Sequence, residues 1–190
     1  MNTEKHPLPP FLPYKACLLM LGSFPPQKKR WSMDFYYPNW NNDMWRIMGL
    51  LFYKDKNHFV NRQDKTFCLP KIISFLQEKG IALYDTASEI CRLQDNASDK
   101  YLEVVTPTDI ASLLDKLPHC QAVATTGQKA TELFCSQFKT IAPPMGSYVP
   151  FFFGQRFMRL YRLPSSSRAY PLTLEKKASI YSQMCQELHL

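Results

Sequence analysis

The chain has 190 residues, of which 45% are hydrophobic and 21% charged, a composition that fits one globular domain and excludes disordered and fibrous proteins. Lysine and arginine total 23 against 16 acidic residues, and the net charge of +7 favours anionic partners, although a basic surface can also be merely solvated. There is no secretory signal and no apolar run near the ~20 residues of a membrane span, which predicts a cytoplasmic protein without a membrane segment. The cysteines are scattered and form no C-x-x-C pair, which predicts a reduced protein without a metal site.

Hydrophobic periodicity divides the chain into strands and helices. Consecutive apolar residues predict strands that are buried on both faces, and apolar residues at three- and four-residue spacing predict helices. In chain order we predict a proline-rich arm at 1–14, a strand at 16–21, helices at 43–52 and 69–79, a strand at 81–85, an irregular stretch at 86–106, a helix at 107–117, a strand at 121–126, a helix at 127–138, strands at 149–153 and 157–163, and a helix at 173–188. Asn42 is the predicted N-cap of the first helix, and Thr106 with Pro107 the predicted start of the third.

Strands that alternate with helices predict a single α/β domain over residues 1–190, a three-layer α/β/α sandwich with a short, mostly parallel central sheet. The carboxyl ends of parallel strands meet at one edge, where ligands bind in open α/β sheets. This edge would bring four segments into one crevice: 22–26, 85–86, 127–129 and 164–168.

The loop after the first strand holds the densest set of groups that could bind a ligand. It begins with Gly22-Ser23-Phe24-Pro25-Pro26 and continues with Lys28-Lys29-Arg30-Trp31 and then Tyr36-Tyr37-Pro38-Asn39-Trp40-Asn41-Asn42. Cations beside flat rings are typical of sites that neutralise phosphates and stack nucleic-acid bases. For Lys28, Lys29 and Arg30 a solvated surface turn is the alternative.

Two further turns could hold an anion. Gly127 and Lys129 open a helix after a strand, where free amide groups and a cation suit a phosphate, but the P-loop and dinucleotide-binding glycine patterns are both missing. Ser165-Ser166-Ser167-Arg168 follows a proline and suits phosphate oxygens, or is an ordinary turn with a helix cap. A serine nucleophile is not predicted, since no G-x-S-x-G surrounds these residues and no histidine among His6, His58, His119 and His189 lies in a recognisable site.

Taken in order, these segments resemble the uracil-DNA glycosylase superfamily, and within it the branch of hypoxanthine-DNA glycosylases and, more distantly, mismatch-specific uracil glycosylases. The similarity extends from Leu18 to about Tyr170. It depends on three motifs: Gly22-Ser23-Phe24-Pro25, then Tyr36-Tyr37 with Asn42 and Trp45, then Leu163-Pro164-Ser165-Ser166-Ser167. The resemblance implies an enzyme that flips uracil or hypoxanthine out of DNA and hydrolyses its N-glycosidic bond without a cofactor. DNA is the implied partner, and no obligate protein partner is implied.

The resemblance also assigns roles to individual residues. Gly22, Ser23 and Phe24 would form the floor of the base pocket, and Tyr37 would stack on the base. Because Phe24 stands where most of the superfamily has an Asn or Asp that holds the attacking water, Asn42 is expected to orient the water, with Asn39 as second choice. The expected DNA contacts are Lys28, Lys29, Arg30, Gly127, Lys129, Ser165, Ser166, Ser167 and Arg168.

Simpler interpretations stay open for several of these residues. Asn42 could be only a helix cap. Asp85 aligns with an acid at the end of the second strand in relatives, but it could also be only a cap for the turn that follows it. Asp43 could act as a carboxylate base, but it has no role in the family pattern. The branch has a His-Pro-Arg run where this chain has Asn39-Trp40-Asn41, a change that bears on substrate choice. At the level of function, the alternatives are a catalytically inactive DNA-binding member of the superfamily and a nucleosidase-like hydrolase of free nucleosides.

Overall fold

The computed structural model of the chain describes residues 3–93 and 102–190. Its strands are β1 (Thr3–Lys5), β2 (Leu18–Gly22), β3 (Val60–Asn61), β4 (Thr66–Phe67), β5 (Ile81–Asp85), β6 (Ala87–Arg92), β7 (Leu102–Pro107), β8 (Ala122–Thr126), β9 (Tyr148–Phe153) and β10 (Arg156–Leu163). Its α-helices are α1 (Met44–Tyr53), α2 (Leu69–Lys79), α3 (Ile110–Asp115), α4 (Gln128–Phe138) and α5 (Leu174–Glu187), and Lys28–Arg30 forms a 3-10 turn. None of the helices in this part of the chain is long and apolar enough to cross a membrane.

A five-stranded sheet of order β5-β2-β8-β10-β9 forms the centre of the fold. Its first four strands are parallel, and β9 adds an antiparallel edge through a hairpin with β10. One face packs on α1, α2 and α5 through large side chains such as Trp45, Phe75 and Tyr181. The other face packs on α3 and α4 through Leu114 and Phe134. The prediction of a three-layer α/β/α sandwich with a mostly parallel sheet is therefore confirmed.

The predicted irregular stretch at 86–106 is wrong in its described part. Strands β6 and β7 form an antiparallel pair there, and β1 from the N-terminal arm adds to the outer side of β6. Register shifts lie on both sides of Glu89, so the inward residues Ala87 and Ile90 do not follow a period of two. Because the bulge breaks the alternation of apolar and polar residues, the sequence pattern does not reveal this strand. The rest of the predicted stretch, residues 94–101, lies outside the described parts of the chain.

The third helix also begins later than predicted. Pro107 ends β7 and does not open a helix. Asp109 is the N-cap instead, and its Oδ1 accepts a hydrogen bond from Ser112 N at 3.0 Å. Thr108 lies between them, and its hydroxyl donates to the Asp85 carbonyl at 2.7 Å. The connection therefore ties the start of α3 to the end of β5.

The N-terminal arm is docked along the sheet. Thr3–Lys5 pairs with β6, and both carboxylate oxygens of Glu4 accept hydrogen bonds from Arg92 at 3.0 Å. Further along, Phe11 and Leu83 exchange two backbone hydrogen bonds of 3.0 and 2.9 Å. The prolines do exclude helix, as predicted, and the arm passes the carboxyl end of β5 at His6.

Candidate functional site

A pocket of about 110 Å³ opens at the carboxyl edge of the sheet, beyond the ends of β2, β5, β8 and β10. Since one water molecule needs only about 10–15 Å³, the pocket has room for a small flat molecule. It is lined by residues 22–26, 36–39, 41, 42, 85, 126 and 165–167. Three of the four segments expected at this edge, 22–26, 85–86 and 164–168, therefore contribute to the pocket. The fourth segment, 127–129, contributes no lining residue.

The first loop presents backbone donors to the pocket. The carbonyls of Gly22 and Ser23 accept hydrogen bonds from Thr86 N and Ala87 N at 2.9 and 3.1 Å, which fixes the loop to the start of β6. The amide N–H groups of Ser23 and Phe24 have no acceptor within residues 3–93 and 102–190. Two adjacent N–H groups in a pocket wall can stabilise a carbonyl oxygen that gains negative charge.

Phe24 joins the pocket to the small sheet. Its ring is buried against Ile90 and Leu102, and the Arg92 guanidinium carbon lies 6.0 Å from the ring centroid. Arg92 in turn donates to the Pro25 carbonyl at 3.2 Å. An aromatic side chain at position 24 therefore completes the apolar cluster of the small sheet while it borders the pocket.

Asp85 at the end of β5 places one carboxylate oxygen at the pocket. Its Oδ2 lies 2.9 Å from His6 Nε2, and its Oδ1 lies against the α-carbon of Gly22, where a β-carbon at position 22 would overlap it. No group in the described residues donates a hydrogen bond to Oδ1. Asp85 was predicted at this edge, with a cap for the following turn as its simpler role, but His6 was not placed in any site. The contact between His6 and Asp85 is therefore the main addition that the structure makes.

The tyrosines around Asp85 stay protonated. Burial, and then the negative charge of Asp85, raise the pKa of the Tyr36 hydroxyl far above its usual range, and the same two causes raise the pKa of Tyr84. Tyr36 uses its proton in a 2.7 Å hydrogen bond to the Pro9 carbonyl, which holds the arm on the first loop. The Tyr36 hydroxyl is therefore a structural donor.

The two candidate asparagines lie together in the pocket wall, both half-buried. Asn42 Oδ1 accepts a 2.9 Å hydrogen bond from Met44 N, so the side chain caps α1 as predicted, although Asp43 is the residue next to the helix. Its Nδ2 has no partner among the described residues. Asn39 Oδ1 accepts from Asn41 N at 2.9 Å and shapes the preceding turn.

The serine loop after β10 contacts the Asn42 segment directly. Asp43 N donates to the Ser166 carbonyl at 2.8 Å, and Asn42 and Ser167 form a single antiparallel bridge. Tyr181 of α5 supports the start of the loop through a 2.8 Å hydrogen bond to the Pro164 carbonyl. The sequence did not predict this contact between the two motifs, and the roles of both motifs remain predictions.

A buried ionic cluster fastens this contact. Asp43 accepts hydrogen bonds from Arg168 Nε at 3.0 Å and from Lys177 Nζ at 3.2 Å. Lys177 is fully buried and also donates to the Ser167 carbonyl at 2.7 Å. Arg168, expected to contact DNA, is thus ion-paired, with 46% of its side chain exposed. Lys177 lies on the apolar stripe of α5, three residues after Leu174, which is the sequence signal for a buried lysine.

Tyr37 lies in the pocket wall with an unusual backbone. Its φ of 51° is in the left-handed region, which costs a non-glycine residue roughly 1–2 kcal/mol. Its ring meets Trp45 edge to face at a centroid distance of 6.1 Å, and its hydroxyl lies 3.4 Å from Thr126 Oγ1. The ring is therefore held beside the pocket, where it was predicted to stack on a base.

The remaining predicted DNA contacts lie outside the pocket lining. Lys28, Lys29 and Arg30 form the exposed 3-10 turn just beyond Pro26, where Lys28 pairs with Asp34 and lies 4.0 Å above the Trp31 ring. The turn at 127–129 is different. Gly127 N donates to the Leu163 carbonyl at 3.0 Å, and Lys129 Nζ to the Leu102 carbonyl at 2.6 Å. Both groups at that turn are thus engaged within the protein.

Comparison with known proteins supports the fold. No family model matches the chain, and no curated protein matches it. The chain is similar to the solution NMR structure of a candidate uracil DNA glycosylase from Methanosarcina acetivorans, with a TM-score of 0.64, 20% sequence identity and full coverage of both chains. At this identity the likeness establishes a shared fold over the whole chain.

Proposed function

We propose that the chain is a DNA glycosylase that extrudes a deaminated base, uracil or hypoxanthine, and hydrolyses its N-glycosidic bond. The supporting observation is the pairing of two backbone N–H donors, on Ser23 and Phe24, with one carboxylate acceptor, Asp85 Oδ1, in a single pocket. Deamination replaces an amino group by a carbonyl and leaves an N–H on the neighbouring ring nitrogen. A donor next to an acceptor matches that edge.

The same groups suit the chemistry of bond cleavage. As the bond breaks, positive charge develops on the sugar and negative charge on the base, and the N–H groups of Ser23 and Phe24 stabilise the base oxygen as it becomes charged. Asn42 Oδ1 gives one lone pair to Met44 N–H and keeps a second to accept a hydrogen bond from water. The water oxygen bonds to the sugar carbon, the base leaves with the bonding electrons, and the released water proton neutralises the product.

DNA would approach across the basic turn and the serine loop. The 3-10 turn at Lys28–Arg30 supplies three cations beside Pro25 and Pro26 at the pocket rim. The serine loop also lines the pocket, and Arg168, which follows it, has 46% of its side chain exposed. Exposed lysine and arginine side chains neutralise DNA phosphates. An arginine such as Arg168 can also enter the minor groove.

The test is release of free base from labelled oligonucleotides that contain uracil or hypoxanthine, under single-turnover conditions. Asn42→Ala is expected to slow release by about 100-fold or more, as for loss of a group that acts in the transition state. Asn39→Ala tests the second choice, since Asn39 lies in the same wall and its Oδ1 accepts from Asn41 N. No release of any deaminated base would refute the proposal, and release by Asn42→Ala at the wild-type rate would refute the role of Asn42.

A second candidate function is DNA binding without catalysis. It is favoured by Phe24, which fills a position where the resemblance leads one to expect a polar water-binding side chain and which is only 9% exposed. Salt-sensitive binding to damaged DNA with no base release would support this alternative. Cleavage of free inosine or uridine, with no response to duplex DNA, would instead indicate a nucleosidase.

A further inference from the structure

The N-terminal arm delivers a histidine to the back of the pocket. His6 Nε2 lies 2.9 Å from Asp85 Oδ2, and the two side chains are only 2% and 9% exposed. The His6 ring is enclosed by three aromatic rings, at centroid distances of 4.6 Å for Tyr84, 5.3 Å for Phe24 and 6.2 Å for Tyr36. This burial fixes the ring and leaves it little freedom apart from its hydrogen bonds.

Both protonation states of His6 are satisfied where the ring lies. In the neutral form Nε2–H donates to Asp85, and Nδ1 accepts from Leu8 N at 3.2 Å. In the cationic form Nε2–H still donates to Asp85, and Nδ1–H donates to the Leu8 carbonyl at 2.9 Å. In either form Asp85 receives a hydrogen bond on Oδ2. The phenols of Tyr36 and Tyr84 face the pair and stay protonated, and the Tyr37 hydroxyl lies near Asp85 Oδ1 beside Gly22.

We propose that His6 is a positioning residue for base selection: by occupying Asp85 Oδ2, it leaves Oδ1 as a single charged acceptor for the ring N–H of the extruded base. This inference rests on the proposed glycosylase function. It gives the N-terminal arm a part in the site, although the arm contains none of the glycosylase motifs and His6 lies 79 positions from Asp85 in the sequence.

The physical reason lies in the cost of a buried carboxylate. Without His6, Asp85 would have no hydrogen-bond donor among the described residues, and a buried carboxylate with no partner favours its neutral form. A neutral carboxyl group can donate from either oxygen, so Oδ1 would no longer be a dedicated acceptor. A pocket with that change should lose its preference for a base edge that carries an N–H.

The experiment compares a deaminated base with its deaza analogue, in which a C–H replaces the ring N–H, in otherwise identical oligonucleotides. Hypoxanthine is paired with 1-deazahypoxanthine, and uracil with 3-deazauracil. The single-turnover rate is measured for each, and the ratio of the two rates is compared between proteins. Any difference in leaving-group chemistry affects every protein equally, so a change in the ratio reports the contact with the ring N–H.

The variants are chosen to separate the hydrogen bond from the ring. His6→Phe keeps an aromatic ring for packing but removes the donor, and the ratio is expected to fall by about 10- to 100-fold, the effect of one hydrogen bond to a charged group. His6→Gln supplies an N–H toward the same oxygen and should restore most of the ratio. His119→Phe is the control, because His119 contacts Tyr14 on the surface, away from the pocket.

The outcomes separate this inference from the proposed function. If the wild-type chain releases no deaminated base, the proposed function fails and the inference fails with it. If the wild-type chain is active and His6→Phe leaves the ratio unchanged, the inference alone is overturned. Should His6→Phe not fold, His6→Leu serves in its place, since it also removes the donor to Asp85 Oδ2 and keeps an apolar side chain against the three rings. An unchanged ratio in that variant also overturns the inference, and a fall of about 10-fold or more supports it.

Discussion

Replacing Lys177 by methionine should destabilise the protein by about 3 kcal/mol, because it removes one partner of a buried ion pair. Lys177 Nζ contacts Asp43 Oδ2 at 3.2 Å and the Ser167 carbonyl at 2.7 Å, and the side chain is fully buried. Breaking a buried pair on one side typically costs about 3–5 kcal/mol. Asp43 keeps its 3.0 Å contact with Arg168, which is half in solvent, so the lower end of that range applies.

Urea unfolding followed by far-UV circular dichroism measures this loss directly. In thermal unfolding, a loss of about 3 kcal/mol in a chain of this size corresponds to a fall of roughly 6–12 °C in Tm. Lys176→Met is the matched control, since Lys176 is the neighbouring residue on α5 and is exposed. The control should change the free energy of unfolding by less than about 0.5 kcal/mol.

A double variant tests the cause of the loss. Asp43→Asn combined with Lys177→Met removes both charges of the buried pair, so part of the stability should return relative to Lys177→Met alone. If Lys177→Met costs no more than Lys176→Met, the buried cluster does not hold the serine loop. That result would refute the account of how the two pocket walls are joined.

Three other predictions concern the core, the first loop and the basic turn. Burial raises the pKa of the Cys120 thiol from 9.0 to about 11, so this thiol ionises first in the unfolded chain. Between pH 9 and pH 11 the free energy of unfolding, measured in urea titrations, should therefore fall by about 2 kcal/mol more in the wild-type chain than in Cys120→Ala. Gly22→Ala should lower the free energy of unfolding by about 1–3 kcal/mol, because the new methyl group overlaps the Asp85 carboxylate. If that overlap is the cause, adding Asp85→Ala to the same chain should restore most of the lost stability. Alanine at all three positions of Lys28–Arg30 should reduce the slope of log Kd for DNA against log salt by about 2–3, and an unchanged slope would place the DNA elsewhere.

The elements that could be predicted from the sequence are those with a strong local signal. Helix α2 begins and ends where its apolar spacing and Gly80 predict, and Gly80 adopts the left-handed φ of 65° that a glycine stop requires. Strand β8 is a short apolar run buried on both faces, and it too lies within one residue of its prediction. The small sheet could not be predicted, because its bulge breaks the alternation and its third strand comes from a proline-rich arm.

The same distinction between local signals and contacts of distant segments applies to the candidate site. The pocket position of Tyr37 and Asn42 follows from a motif that is contiguous in sequence, and the structure places both in the lining. The contact between His6 and Asp85 depends on a docked arm, and no local pattern marks it. Lys177 lies between these cases, since a lysine on an apolar helix face is itself a signal that a buried anion lies opposite.

Each wall of the pocket is held by contacts that lie behind it. Asp85 is held by His6, and the joint between Asn42 and the serine loop is held by Lys177 through Asp43. These two supports have no residue in common, so their effects on the free energy of unfolding should add to within about 0.5 kcal/mol when His6→Phe and Lys177→Met are combined. Unfolding of the two single variants and the double variant tests this. A larger deviation from the sum would mean that the two walls are coupled through the first loop, and that a change in the arm also moves the serine loop.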